Sequence, residues 1–179
     1  QNLRRVYSTE LKLMVLNGLL QAGVRHIQLG SFVHPEILPQ MADAEVLFNS
    51  APQYDNVIYS AFILNERGLS RAIDCGVKKV ETSISLHESY GFKNTGMKFN
   101  RAYEEMTRLV NQAHQHSISI RVGLQCVWGS TYDDTIDQMN VIKRLSDILE
   151  MGISRISLCD TTGMARPNDV YSLLDIIYK

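Results

Sequence analysis

The sequence lacks most of the features that would place it at once. No apolar run approaches the roughly 20 residues needed to cross a bilayer, so no membrane partner is expected. Gln1-Asn2-Leu3-Arg4-Arg5 carries two arginines with no long apolar stretch after them, which is not a signal-peptide pattern. Eighteen basic and nineteen acidic residues leave a formal charge of −1, and no basic stripe interleaves with aromatics. Recruitment to nucleic acid by charge is therefore not expected. The three cysteines, Cys75, Cys126 and Cys159, are widely spaced and form no Cys-x-x-Cys, so neither a zinc knuckle nor a redox pair is signalled. Reduced thiols fit a reducing compartment. Cytoplasm is the default, with an organelle matrix open if a presequence has been removed.

The nucleotide and hydrolase fingerprints are missing too. No Gly-x-Gly-x-x-Gly follows a strand pattern, and there is neither a Gly-x-Ser-x-Gly elbow nor a Walker loop. What remains is 179 residues of ordinary globular composition, 45% hydrophobic and 21% charged, without a linker or low-complexity tract. That reads as a single segment, 1–179, able to bury a core without staples.

One local pattern recurs. Gln21-Ala22-Gly23-Val24-Arg25-His26-Ile27-Gln28-Leu29 is echoed by Asp74-Cys75-Gly76-Val77-Lys78-Lys79-Val80-Glu81-Thr82 and by Glu150-Met151-Gly152-Ile153-Ser154-Arg155-Ile156-Ser157-Leu158. Each has a glycine suited to a left-handed helix end, a β-branched residue, two polar residues and a short apolar strand. His116-Ser117-Ile118-Ser119-Ile120-Arg121-Val122 is a fourth copy without the glycine. A helix end followed at once by a strand, several times over, is the αβ half of a parallel sheet.

The spacing predicts helices from Ser8 as cap through Glu10 to about Gln21, over Gln40–Phe48, Arg67–Cys75, Phe99–Gln115 and Tyr132–Glu150, and from Pro167 to the end. Leu11, Val15 and Leu19 are the expected apolar stripe of the first helix. Ile136, Met139, Ile142, Leu145 and Leu149 are that of the fifth. Strands are expected near His26–Gly30, Val57–Phe62, Lys79–Ser83, Ser119–Leu124 and Arg155–Cys159. About five strands are too few to close an eight-stranded barrel, so spacing leaves an open doubly wound sheet or part of a barrel.

Either way, chemistry belongs at the carboxyl ends of the strands. Asp160, followed by Thr-Thr-Gly, can bind a polar substrate group or cap its turn. Ser85 and His87 leave their strand end one residue apart; the histidine is equally able to bond its own loop. Arg121 lies within a strand, where burial would force an anionic partner and a rim position would not. Cys126 and Cys159 are nucleophile candidates, although small buried thiols are the commoner use of such positions. His114-x-His116 sits at a helix end on the far face with no carboxylate nearby, so no metal is expected there.

Ser31-Phe32-Val33-His34-Pro35, then Pro39-Gln40-Met41-Ala42-Asp43, resembles the hydroxymethylglutaryl-CoA lyase family, with its Ser-Phe-Val-x-Pro and Pro-Gln-Met-x-Asp in the same register. Ile156-Ser157-Leu158-Cys159-Asp160-Thr161-Thr162-Gly163 is similar to the family's Ile-Ser-Leu-Gly-Asp-Thr-Ile-Gly. Lys93-Asn94, in the loop expected after the third strand, and Cys126 with Gly129 and Tyr132 also match. The resemblance implies a partial (β/α)8 barrel with the first strand and the last two units absent, and a carbon–carbon lyase cleaving a 3-hydroxyacyl-CoA through a metal-stabilised enolate. A synthase or aldolase of the same superfamily, or a non-catalytic paralogue, is the alternative. It implies Asp160 as the catalytic carboxylate, with Gln28, Ser31, Ser85, His87, Lys93, Asn94 and Arg121 around an acyl-CoA substrate. A divalent Mg²⁺ or Mn²⁺ is implied with no ligands inside this chain, since they would precede Gln1 and follow Lys179. On this reading the chain alone is inactive.

Two positions depart from the family. Gln28 stands where it carries glutamate, and Gly123 where it carries tyrosine. Restoring a carboxylate with Gln28→Glu is therefore expected to raise lyase activity. A five-strand piece of a barrel has unpaired edges and exposed core side chains, so a homo-oligomer is expected. Sedimentation of the 179-residue chain alone should show oligomers or aggregate; a compact, cooperatively melting monomer would contradict this.

Overall fold

A computed structural model describes residues 3–131 and 136–179. In chain order the elements are α1 (Thr9–Gln21), β1 (His26–Ser31), a 3₁₀ turn (Pro39–Met41), α2 (Ala44–Ser50), β2 (Ile58–Phe62), α3 (Glu66–Asp74), β3 (Lys79–Ser85), α4 (Glu88–Thr95), α5 (Phe99–Gln115), β4 (Ser119–Gln125), α6 (Gln138–Glu150), β5 (Ile156–Leu158) and α7 (Pro167–Ile177). The five strands follow one another in the sheet as β1-β2-β3-β4-β5, and the β1–β2, β2–β3 and β4–β5 pairs are parallel. No helix among the described residues is long and apolar enough to cross a membrane. By compactness the chain forms two units, Gln1–Thr82 with Gln112–Ile120, and Ser83–Asn111 with Arg121–Lys179.

In the first unit, Ser8 caps α1 by accepting from the Leu11 N–H at 3.4 Å. Strand alternation turns Ala61, Ile63 and Val80 into the core with Leu16, Leu47 and Leu69. α1 corrects the sequence expectation: Leu11, Val15 and Leu19 are all exposed, and the inner line is Leu13, Leu16 and Leu20. The helix carries two apolar stripes, and periodicity cannot say which one meets the core. α1 is tied to the segment before α2 by Asp43, which accepts from Thr9 Oγ1 at 2.6 Å and from the Lys12 ammonium.

In the second unit, Leu109, Val110, Val122, Leu124, Val141, Ile148 and Leu173 are the most buried aliphatic side chains. α6 starts at Gln138, capped by Asp137, whose carboxylate accepts from the Met139 N–H at 3.2 Å. Tyr132 to Thr135, the expected first turn, lie outside the described residues. Val141, Leu145 and Ile148 form the buried line of α6, whereas Met139 and Leu149 are exposed. Lys93 and Asn94 belong to α4 and not to a loop. Gly91 and a weak apolar period hide that helix in the sequence. A side chain at 91 would put its Cβ 3.3 Å from that of Ser85, a tight contact that would need Ser85 or α4 to give by a few tenths of an ångström.

The recurring glycines behave as read: Gly23, Gly76 and Gly152 take φ of 89°, 72° and 80°. In the fourth copy the same left-handed turn is made by Ser117, at φ 54°. A side chain there crowds the following carbonyl and costs about 1–2 kcal/mol. Nothing lies within 4 Å of a Cβ built on Gly76, so backbone conformation alone distinguishes the two sites. Equivalent positions should therefore respond with opposite signs. Gly76→Ala is expected to lower stability by about 1 kcal/mol and Ser117→Gly to raise it by up to about 1 kcal/mol, read from urea midpoints of the full-length protein.

Candidate functional site

In the first unit the Ser31–Pro35 loop leaves β1 already anchored. Phe32 donates its N–H to the Phe62 carbonyl at 2.9 Å, and its ring, 1% exposed, packs against Phe48 with centroids 5.4 Å apart. Beneath it, a Cβ on Gly68 would come within 2.5 Å of the Phe32 carbonyl oxygen, so only glycine lets α3 approach. Arg71 then reaches over the Phe32 ring, donates to the Val33 carbonyl at 3.2 Å and pairs with Glu45. Helix, ring and guanidinium thus fix the loop that presents the buried Ser31.

The same unit holds a polar group spanning three strands. Glu81 on β3 accepts from Ser60 Oγ on β2 at 2.6 Å and from Gln28 Nε2 on β1 at 2.7 Å. The sequence reading singled out Gln28 but missed Glu81 and Ser60. The signal available was alternation, because Glu81 stands between Val80 and Thr82, which both face the core.

In the second unit, Ser85 and His87 are brought together directly. The Ser85 hydroxyl donates to the His87 carbonyl at 2.9 Å and accepts from the His87 N–H at 3.0 Å, closing the turn after β3. His87 is 1% exposed, and its Nδ1 lies 3.3 Å from the hydroxyl of Ser130, another residue the sequence reading missed. Cys126, fully buried, ends β4 in a left-handed conformation at φ 58°. Its N–H donates to Thr161 Oγ1 at 2.8 Å, and the Cys159 N–H donates to the Leu124 carbonyl at 2.9 Å, so the ends of β4 and β5 are locked.

Asp160 follows β5. Its carboxylate accepts from the N–H groups of Met164 at 2.8 Å and Ala165 at 3.1 Å while remaining exposed. It therefore caps its turn. Arg121 projects from the exposed face of β4, opposite the buried Val122, so no buried anion is forced on it. Gly123 pairs in register with Ser157 and leaves the strand without a side chain at that point. Lys93 and Asn94 are exposed in the last turns of α4.

Neither cysteine at a strand end is poised as a nucleophile. Burial pushes the Cys126 thiol up, against hydrogen bonding by Thr161 and Ser85. Burial also pushes Cys159 up, against the nearby Arg121 charge. Both stay protonated at neutral pH; Cys126 is a small buried group and Cys159 is half-buried. His114 and His116 are exposed, and among the described residues no three His, Cys, Asp or Glu side chains cluster as a metal would require.

A run of parallel βα units defines a barrel-type α/β protein, a fold in which chemistry is carried at the strand ends. The HMGL-like family model matches residues 1–179, and the chain belongs to that family. It is 29% identical over 176 residues to the hydroxymethylglutaryl-CoA lyase of Pseudomonas mevalonii, covering 98% of this chain and 58% of that protein. The crystal structure of the Bacillus subtilis HMG-CoA lyase superposes with a TM-score of 0.94 at 29% identity, over 99% of this chain and 59% of the other. An HMG-CoA lyase from Acinetobacter baumannii in complex with coenzyme A and 3-methylmalate gives 0.91 at 26% identity, over 99% and 58%. The chain thus spans a little over half the length of the lyases it matches, and its fold is the corresponding part of their barrel.

The Cys126–Thr161 tie can be probed alone. Thr161→Val keeps the shape but leaves a buried N–H without its acceptor, which should cost about 1–3 kcal/mol in urea unfolding. An unchanged midpoint would mean that the Cys126 turn does not depend on this bond.

Proposed function

We propose that this chain is part of a carbon–carbon lyase that cleaves a 3-hydroxyacyl-CoA. The observation that carries the reading is the family match across all of residues 1–179, with Ser31, Ser85, His87 and Asp160 following the strands at the places where such barrels do their chemistry. We take 1–179 as one catalytic-barrel segment of a homo-oligomeric protein, with the rest of the barrel supplied from outside it and the isolated chain inactive.

In the reaction a base takes the proton of the 3-hydroxyl, C3 becomes a carbonyl as the C2–C3 bond breaks, the bonding pair passes into the thioester enolate, and an acid then returns a proton to C2. Stabilising that developing charge is the main demand on the site. Asp160 meets the substrate as an acceptor whose position is already set by two backbone amides. Arg121 supplies positive charge from β4, and the neutral polar groups Ser85 and His87 orient the acyl group; Ser31, at the end of β1, is a further candidate substrate contact. Lys93 and Asn94 face the CoA end; the coenzyme A in the A. baumannii lyase supports an acyl-CoA ligand. A divalent Mg²⁺ or Mn²⁺ would supply further enolate stabilisation. The described residues do not form a site that fits such an ion, so no step here is assigned to it. Gln28 and Gly123 favour a second reading, a non-catalytic paralogue kept for protein association, while a Claisen-type synthase or aldolase joining an acyl-CoA to a 2-oxo acid is the enzymatic alternative, with cytoplasm as the default location throughout.

Asp160→Asn in the full-length protein should lower turnover of hydroxymethylglutaryl-CoA at least tenfold, about 1.4 kcal/mol of transition-state stabilisation, with an unchanged circular dichroism spectrum. Wild-type turnover in a folded variant would leave Asp160 as a turn cap alone.

A further inference from the structure

β1 and β2 pair from their first residues, His26 with Ile58, whereas the β2–β3 register begins later, at Ala61 with Val80 and Phe62 with Glu81. The amino ends of β2 and β3 therefore stand apart, at the end of the strands opposite Ser31. A cavity of about 300 Å³ opens there, within the first unit. Val57, Ile58 and Tyr59 form one side, Cys75 to Lys79 the other, and Phe48 and Gln53 complete it. That volume is at the small end of the range for ligand sites.

Both walls are fixed in advance. The Tyr59 hydroxyl donates to the Pro52 carbonyl at 2.8 Å and the Val57 N–H to the Tyr54 carbonyl at 3.0 Å, which pins the segment entering β2. Opposite, the Val77 N–H donates to the Ala72 carbonyl at 3.0 Å, across the left-handed turn at Gly76. Little ordering of the protein would oppose a ligand here.

The lining divides by chemistry. Phe48, Val57, Ile58 and Val77 are apolar. Lys78 and Lys79 place two cationic side chains on one wall, and among the described residues neither has an ion-pair partner. Lys79 is half-buried, where a charge without a partner is costly. Of the carboxylates whose charge reaches Cys75, Glu45 is already paired with Arg71, and Asp74 is exposed at the end of α3. Adjacent cations beside apolar walls suit a ligand that is anionic at one end and hydrocarbon at the other. Inorganic phosphate would leave the apolar walls unused.

We propose that this cavity binds a small carboxylate with a hydrocarbon body, its anion at Lys78 and Lys79 and its chain against Phe48, Val57 and Ile58. The site is separate from the strand ends that carry the catalytic candidates, and it does not rest on the acyl-CoA reading.

Cys75, half-buried in the wall, reports occupancy. The test labels the full-length protein with N-ethylmaleimide and reads Cys75 and Cys159 separately by mass spectrometry, with hexanoate as the probe. A site this small suits a Kd on the order of 1 mM, so about 10 mM hexanoate should fill roughly nine-tenths of the sites and slow Cys75 labelling about tenfold. Labelling of Cys159 should change less than twofold. Acetate, which lacks the body, and 1-hexanol, which lacks the charge, should each protect Cys75 less than twofold. Lys79→Met keeps an unbranched side chain without the charge and should lose most of the hexanoate protection with Tm within a few degrees. Lys78→Met, at an exposed position, should lose protection in the same way and carries the test if Lys79→Met does not fold. No protection by hexanoate, equal protection by 1-hexanol or inorganic phosphate, or full protection in the folded lysine variants would overturn the proposal.

Discussion

The period of two along each parallel strand is the constraint on which the rest depends. Every second side chain must satisfy the helix layer, and the residues between are released from packing. β4 makes the division plain: Ile120, Val122 and Leu124 are buried, while Ser119 before them and Arg121 between the first two are exposed. β3 does the same with Val80, Thr82 and Ile84 against Glu81 and Ser83. A strand can carry charge only on the released face, so the candidate site is a by-product of how the core is packed. Ser31, Ser85 and Cys126 are the positions where this alternation gives way to loop geometry at a strand end.

The repeated helix end–glycine–strand unit was legible because it is set by local backbone chemistry. A left-handed residue after a helix is needed at Gly23, Gly76 and Gly152 whatever the tertiary structure, and the sequence announces it three times. The order of strands and most helix bounds follow from that. Packing choices were not legible. The two apolar stripes of α1 look alike in sequence, and only the surrounding structure selects Leu16 over Leu11 and Val15. α4 escaped notice because its glycine, close-packed against Ser85, reads in composition as a helix breaker.

The site was legible where a motif or a strand end marked it and opaque where partners come from other elements. Ser85 and His87 could be read together, being two residues apart, but Ser130 reaches His87 from 43 positions away. Gln28 was noticed as a departure from a family pattern. Its meaning lay in Glu81, 53 positions on, which no local pattern connects to it. A residue that differs from its family is therefore poorly interpreted alone. At Gln28 the structure adds what the sequence could not, a hydrogen bond from its amide to a carboxylate on the third strand.

Capping and function have been posed as rivals at Asp160, and the geometry removes the opposition. Two backbone N–H groups from Met164 and Ala165 hold the carboxylate, and those groups belong to the turn it closes. A side chain held by backbone cannot swing to meet a ligand, so no reorganisation accompanies the appearance of charge in a transition state. The bonds that make Asp160 a cap are thus the ones that would make it an effective acceptor. Hydrogen bonds spent on fixing an exposed carboxylate return little stability, which is a physical reason to look for their use in recognition.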